Sequence, residues 1–371
     1  MTYKPDTDYL IKQAEKLLAK EELTGAFVNY RKAKNILIEK GSYFRAHECI
    51  NAMVQIYKTQ GKIGEAINLV LSSAQKLEDF KIFEVAAKLY ENTGSLNYEM
   101  QDYDNAGKYF EKAAALYKQL AQDEKDDEMR NLSGILLMKS SEATYKIPNK
   151  KEKSEHLLLE GIIRFTGMKY KIPEFEMKLI EHVKKNEFIK AEETSAQLAS
   201  MMKEIIESMS ITELFNIDLL STTVKSRLFH FKAEYLFFNY LLSRQVFDKK
   251  KLEEKGKYVK GILAECISML KSTIIKEYDK EDVDRYCFDG LMESLMNKLV
   301  SNDDNEAFLE EFTSGFEDEL SNLILDNEHY NLMKKIVKYG LELTKNDLYN
   351  MNMGKFTPIA PTLIKLLYSS S

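Results

Sequence analysis

The sequence predicts an all-α protein in which antiparallel helical hairpins repeat and are followed by a helical bundle. Three observations predict this class. Proline and glycine, which most often interrupt helices, number only 5 and 15 among 371 residues. No proline occurs between Pro5 and Pro148, and no alternating strand pattern bounded by turn residues is found. The third observation is a helical packing motif that recurs every 40 residues.

The packing motif is a small residue, a large residue four positions later and a second small residue three positions after that. The segment QDYDNAGKYFEKAAALY, residues 101–117, carries it as Ala106, Phe110 and Ala113. These positions share one stripe of a helix, so the small residues admit a neighbouring helix and the large one fills the remaining gap. The same columns occur upstream as Ala26, Tyr30 and Ala33, and as Ala66, Val70 and Ser73.

Between the motif helices the sequence predicts a second helix in each repeat, for example at residues 43–59 and 83–100. About five hairpins are predicted over residues 1–212, with less regular spacing in the later ones. After that the repeat is lost, and the apolar segment 228–242 predicts a core helix of a C-terminal bundle over residues 213–371. The later copies of the motif columns are Ser154, Leu158 and Gly161, then Ala191, Ser195 and Leu198.

The third repeat resembles the tetratricopeptide pattern. Gly94, Ala106, Phe110 and Ala113 stand where that pattern has small, small, aromatic and small residues, and Tyr90 stands in its aromatic position near the repeat start. The period of 40 exceeds the usual length of about 34 by roughly one and a half helical turns. A right-handed superhelix of tetratricopeptide-like hairpins with lengthened helices is therefore expected.

A longer segment, residues 79–122, resembles the middle of the soluble NSF attachment proteins, known as the SNAP family. That family carries a similar A-A-K helix followed by a Y-x-x-A-x-x-x-[YF]-x-x-A-A-x-x-Y hairpin, and its repeat period is also similar. Residues 231–242 are similar to the aromatic helix that opens the family's C-terminal bundle. The resemblance implies a non-enzymatic adaptor that binds a helical or coiled-coil, SNARE-type bundle and recruits an AAA+ ATPase for disassembly, in membrane fusion or vesicle transport.

The resemblance also implies two charged surfaces. Basic residues of a concave face would contact the acidic bundle, and an acidic C-terminal region would contact the ATPase. The matching acidic segment, residues 302–320, holds eight carboxylates and neither lysine nor arginine. The basic candidates are Lys81, Lys88, Lys118, Arg130 and Lys139, and the acidic candidates are Asp303, Asp304, Glu306, Glu310, Glu311, Glu317, Asp318 and Glu319.

Composition argues against several other functions. The net charge of −6 and the pI near 5.7 argue against general nucleic-acid binding, which depends on a basic surface. Three distant cysteines indicate a reducing compartment rather than a disulfide framework. No signal peptide and no run of 18 apolar residues is found. Residues 19–25 are polar where the SNAP family has an apolar membrane-touching loop. We expect a cytoplasmic location with membrane contact only indirect or peripheral.

No catalytic, cofactor or metal motif is recognised. The five histidines never lie four residues apart, and glycine-rich phosphate loops and nucleophile-elbow motifs are lacking. Cys287 and Asp289 are close in sequence, but no histidine near them would activate the thiol. We therefore expect neither enzymatic activity nor a cofactor or metal.

Plainer interpretations stay open for each charged segment. Lysines on a helix usually face water, and an acidic stretch can be a solvated helix face. The lysine-rich segment 249–260 either contacts an acidic surface or lipid head groups, or is a solvated turn. For the whole chain, the alternative function is a generic tetratricopeptide scaffold or co-chaperone that binds peptide segments of partner proteins.

Overall fold

The computed structural model describes residues 6–121, 126–168, 171–276, 280–300 and 306–350. Within these ranges the chain forms helices joined by short turns and contains no strand. The predicted all-α, tetratricopeptide-like class is confirmed. Contacts divide the described chain into two units, one up to residue 167 together with 214–217, and one from 168 to 213 and from 218 onward. The domain boundary expected at residues 212–213 stays a prediction.

In the described part of the first unit, the helices pair into four successive hairpins, and each helix packs chiefly against its neighbours along the chain. The small-large-small columns are buried in the second helix of their hairpins. The helices are α1 (Thr7–Leu18), α2 (Leu23–Glu39), α3 (Tyr43–Thr59), α4 (Ile63–Asp79), α5 (Phe83–Glu99), α6 (Tyr103–Leu120), α7 (Asp127–Tyr145) and α8 (Lys151–Phe165).

The second unit begins with a fifth hairpin, and its later helices form the predicted bundle. The apolar segment 228–242 lies in the long helix α11 and is mostly buried, as expected for a core helix. Helices α11, α12 and α13 pack in sequence, and α16 packs on α13. The helices are α9 (Lys171–Lys184), α10 (Phe188–Ser208), α11 (Asp218–Ser243), α12 (Lys249–Lys276), α13 (Lys280–Val300), α14 (Glu306–Thr313), α15 (Asp318–Leu325) and α16 (Glu328–Asn350).

A common turn sets the 40-residue period. Helices α2 to α5 each contain 17 residues, and helices α2 to α6 begin 20 residues apart. The backbone N–H of Lys62 bonds the carbonyl of Tyr57 at 2.8 Å, and Ile82 bonds Leu77 in the same way at 2.9 Å, as in a Schellman helix end. Each turn holds one residue in the left-handed region, with φ between 60° and 73°: Glu21, Gly41, Gly61, Lys81 and Gln101.

Glycines in the helices allow close contact between neighbours. A Cβ on Gly94 of α5 would lie 2.7 Å from the ring of Phe110 in α6, so the large residue of the motif occupies the space that this glycine leaves. Gly134 of α7 and Gly161 of α8 face each other, and a Cβ on either would lie 2.7 to 2.9 Å from the carbonyl oxygen of the other. Helices α7 and α8 therefore touch through their backbones.

The cost of the left-handed turn can be measured at Gly61, where an added Cβ would meet no atom within 4 Å. Gly61→Ala should lower the free energy of unfolding by about 1 kcal/mol, because alanine tolerates the left-handed region poorly. Lys81→Gly makes the opposite change and should raise it by up to about 1 kcal/mol. Urea titration measures both. A less stable Lys81→Gly variant would show that the lysine side chain contributes more than its backbone strain costs.

The close approach of α7 and α8 predicts an order of stability among three alanine variants. Gly134→Ala should cost about 3 kcal/mol, since its neighbours are backbone atoms that cannot rotate away. Gly94→Ala should cost less, because the ring of Phe110 can shift. Gly64→Ala in α4 is the control: its Cβ would meet nothing within 4 Å, so it should be neutral or stabilise by up to about 1 kcal/mol. Urea midpoints that fail to separate Gly134→Ala from Gly64→Ala would contradict this packing.

Candidate protein-interaction surfaces

Helices α3, α5 and α7 are the first helices of their hairpins and meet through polar side chains on one side of the first unit. Lys58 binds Glu99 across α3 and α5 at 2.8 Å, and Lys139 binds Glu91 across α5 and α7 at 2.6 Å. The hydroxyl of Tyr98 donates to Glu142 at 2.8 Å. We call this surface the odd-helix face, defined by Asn51, Lys58, Lys88, Glu91, Asn92, Glu99, Lys139 and Glu142.

An open cleft of about 270 Å³ lies on the odd-helix face between α3 and α5. The side-chain N–H of Asn92 donates to Oδ1 of Asn51 at 2.9 Å, and Nδ2 of Asn51 lies 3.4 Å from Nε2 of His47. Burial, with a smaller effect of Lys88, lowers the pKa of His47, so its imidazole is neutral at pH 7. The cleft is lined by Asn51, Val54, Gln55, Lys58, Asn92, Ser95, Leu96 and Glu99.

Two of the predicted basic residues, Lys88 and Lys139, lie on the odd-helix face, and each is paired with a carboxylate. Nζ of Lys88 lies 3.0 Å from Glu84 and 4.8 Å from the ring centroid of Phe44, which is 52% exposed. Lys139 is bound by Glu91, its partner across the helices. At these positions positive and negative charges are balanced.

The other three basic candidates lie at the edge of the hairpins. Lys81 is in the turn between α4 and α5, and Lys118 is in the last turn of α6; both are exposed. Arg130 is in the first turns of α7 and binds Asp127 at 2.7 Å. Since α4 and α6 end where α5 and α7 begin, these residues share the same edge. The five candidates thus occupy two places, and their role in binding a partner stays a prediction.

The described acidic candidates lie on or beside two short helices. Glu310 and Glu311 on α14, and Glu317, Asp318 and Glu319 at the start of α15, are exposed. Carboxylates at a helix start are favoured by the helix dipole, so local structure accounts for part of this segment. Asp303, Asp304 and the side chain of Glu306 lie outside the described residues. A contact with an ATPase stays a prediction.

Helix packing forms a buried polar cluster that sequence reasoning missed. Asp289 of α13 accepts hydrogen bonds from Nδ1 of His230 in α11 at 2.7 Å and from the thiol of Cys266 in α12 at 2.9 Å. All three side chains are fully buried. Burial, followed by Asp289, raises the pKa of Cys266 well above its ordinary value. The side chain is therefore a protonated thiol and not a nucleophilic thiolate. The only sequence signal was a histidine within the apolar segment of α11.

The described residues contain neither a candidate metal site nor a candidate membrane-spanning helix. In the parts of the chain covered by the structure, no three or more histidine, cysteine or carboxylate side chains are placed to hold a metal ion. No helix in these parts has the length and apolar character needed to cross a bilayer.

Comparison with known proteins adds little to this description. No protein-family model matches the chain, and no curated protein matches it. One match among solved structures is a chain in the crystal structure of the APC/C hetero-tetramer Cut9–Hcn1, which is 12% identical. That match covers 99% of this chain and 94% of the other, with a TM-score of 0.19. A score this low supports no argument.

The chain's own helices, turns and repeated columns define its class. It is a tetratricopeptide-like helical repeat protein. Membership of the soluble NSF attachment protein family, which the sequence resemblance suggested, stays a prediction.

Proposed function

We propose that the protein is a non-enzymatic interaction scaffold whose odd-helix face binds an extended segment of a partner protein. The observation that carries this proposal is the amide-lined cleft between α3 and α5. An asparagine side chain offers two N–H donors and a carbonyl acceptor, which match the acceptor and donor of a peptide backbone. The bond between Asn92 and Asn51 uses one of these donors and holds both side chains in place.

The spacing of the polar side chains also fits an extended chain. Asn51 and Gln55 lie one turn apart on α3, and Asn92 and Ser95 lie one turn apart on α5. Side chains one turn apart are about 5–6 Å from each other. Backbone groups that point the same way along an extended peptide repeat every two residues, or about 6.6 Å. The two rows can therefore contact successive peptide groups of one segment.

The electrostatics of the face favour such a segment over a strongly acidic one. Lys58, Lys88 and Lys139 each have a carboxylate partner within 3.0 Å. A partner recognised here gains little from net charge and more from hydrogen bonds to amides and from contact with the exposed ring of Phe44. The scaffold is proposed to be cytoplasmic and to bind proteins, with no cofactor.

The decisive test uses a library of about 12-residue peptides, selected for binding to the wild-type chain. Asn92→Ala should weaken the selected peptides about tenfold or more, since two hydrogen bonds to a peptide group are lost. Asn35→Ala, at an exposed asparagine of α2, is the matched control and should bind as the wild type does. Calorimetry measures the affinities. Failure to select any peptide, or equal loss in both variants, would contradict the proposal.

A narrower function rests on the sequence resemblance. In this version the protein is a SNAP-like adaptor that binds a SNARE-type helical bundle and recruits an AAA+ ATPase in membrane fusion or vesicle transport. The exposure of Lys81 and Lys118 supports it, because both are accessible to a large acidic partner. The described acids Glu310, Glu311, Glu317, Asp318 and Glu319 would then meet the ATPase.

Charge reversal tests this narrower function. Changing Lys81, Lys88 and Lys118 together to glutamate should abolish capture of a recombinant four-helix SNARE bundle, because attraction becomes repulsion at Lys81 and Lys118 and the charge of Glu84 is no longer balanced at position 88. Reversal of Lys12, Lys16 and Lys20 in the α1 region is a control with the same net charge and should retain capture. The adaptor role is excluded if the wild-type chain captures no bundle, or if the first variant captures it undiminished.

A further inference from the structure

Three side-chain contacts between α3 and α5 follow one another along the odd-helix face. Each joins one residue of α3 to one residue of α5, and each has a different chemistry. We call them the aromatic, the amide and the ionic contact. They are Phe44–Lys88, with the ammonium 4.8 Å from the ring centroid, Asn51–Asn92 at 2.9 Å and Lys58–Glu99 at 2.8 Å.

The three contacts form a line along the helices. Phe44, Asn51 and Lys58 are seven residues apart on α3, which is almost two full turns, so they lie on one side of the helix at intervals of about 10.5 Å. Their partners on α5 follow in the same order, so the two helices run in the same direction. An extended chain advances about 3.3 Å per residue and therefore needs about three residues to pass from one contact to the next.

The amide contact leaves one asparagine available to a ligand. Oδ1 of Asn51 accepts the bond from Asn92, and Nδ2 of Asn51 lies 3.4 Å from Nε2 of His47, so Asn51 is held from both sides. Asn92 uses one N–H for Asn51, and among the described residues its second N–H and its carbonyl oxygen have no other partner. Asn92 can therefore bind a peptide group, while Asn51 positions it.

The aromatic contact favours an aromatic side chain in the ligand. The ring of Phe44 is 52% exposed, and the charge of Lys88 is balanced by Glu84 at 3.0 Å. A second aromatic ring can stack on the exposed part of Phe44 and lie close to the ammonium of Lys88. A carboxylate at this place would be repelled by Glu84, and a cation would be repelled by Lys88.

The ionic contact favours the interior of a chain over its end. Lys58 and Glu99 neutralise each other, so the single charge of a chain terminus would be attracted by one of them and repelled by the other. The cleft of about 270 Å³ extends from the amide contact to the ionic contact, and the buried side chains of Val54 and Leu96 lie among its lining residues. A segment that continues past Lys58 and Glu99 loses nothing by having no charge there.

We propose that the odd-helix face selects an internal, extended segment that carries an aromatic residue about three positions away from the peptide group bound by Asn92. The aromatic side chain stacks on Phe44, and the segment runs from there along the cleft toward Lys58 and Glu99. This inference rests on the proposed scaffold function and specifies the ligand of that same face.

The aromatic position is tested with peptides of about 12 residues selected for binding to the wild-type chain, which should share an aromatic residue. Replacing that residue by alanine should weaken binding to the wild type about tenfold. The same replacement should change binding to Phe44→Ala about twofold or less, because the contact is already lost. Tyr258→Ala, at an aromatic residue of α12 that is 54% exposed, is the matched control and should show the full loss. Calorimetry measures each affinity.

The position of the bound peptide group is tested by N-methylation of one backbone nitrogen of a selected peptide at a time, which removes one N–H donor. The largest loss of affinity should fall about three residues from the aromatic residue, and it should be much smaller with Asn92→Ala. Acetylation and amidation of the two ends should change the affinity about twofold or less, because neither terminus is recognised.

The outcomes separate this inference from the scaffold function. Suppose that selected peptides depend on Asn92 but share no aromatic residue, or lose equal affinity for the wild type and for Phe44→Ala when that residue is replaced. The inference is then overturned, and the scaffold function stands. The same holds if N-methylation shows no such position, or if capping the ends abolishes binding. Failure to select any peptide would overturn both.

Discussion

The constraint on which the first unit depends is the contact between consecutive helices through small residues, repeated by a turn of fixed length. The small side chains of the motif let the helices approach, and a left-handed residue in each turn reverses the chain after 17 helical residues. Neither feature works alone. A turn of another length would rotate the next helix, and the stripe of Ala106, Phe110 and Ala113 would then no longer face Gly94. The turn length thus determines how each helix is rotated relative to its neighbour. Because this rotation determines where each side chain points, the polar surface of the unit depends on it too.

The same register determines which charges meet. Residues 41 to 48 positions apart face each other across α3, α5 and α7, as in the pairs Asn51–Asn92 and Glu91–Lys139. The helix packing thus brings a carboxylate opposite Lys58 and opposite Lys139, and an amide opposite an amide in the cleft. Lys88 is paired within its own helix, by Glu84. Two of the three ion pairs on that face therefore depend on how α3, α5 and α7 are aligned, and the overall composition, which is acidic, does not determine them.

Patterns within short segments of the sequence were sufficient to predict the helices, but not to predict which side chains meet on the surface. The columns at Ala26, Ala66 and Ala106 predicted the helices and their buried stripes, since helical periodicity is a property of short segments. The pairing of Lys139 with Glu91 depends on a cross-helix register that no short segment contains. For the same reason the sequence suggested that no histidine lies near Asp289, whereas packing brings His230 to it from 59 residues away. Most of the fold could therefore be predicted from the sequence, whereas the charge balance of the odd-helix face could not.

For the proposed binding of a partner segment, the energetics of the odd-helix face indicate which contacts would select that segment. Its ion pairs are partly exposed, and such a pair contributes at most about 1 kcal/mol. An acidic partner that displaces Glu91 from Lys139 exchanges one carboxylate for another, so the net gain is close to zero. An amide in a partly enclosed cleft behaves differently. When a ligand displaces its water without matching its donors and acceptor, the amide loses hydrogen bonds and binding is weakened. In the proposed scaffold function, selectivity on this face therefore comes from Asn51, Asn92 and the exposed ring of Phe44 more than from its lysines.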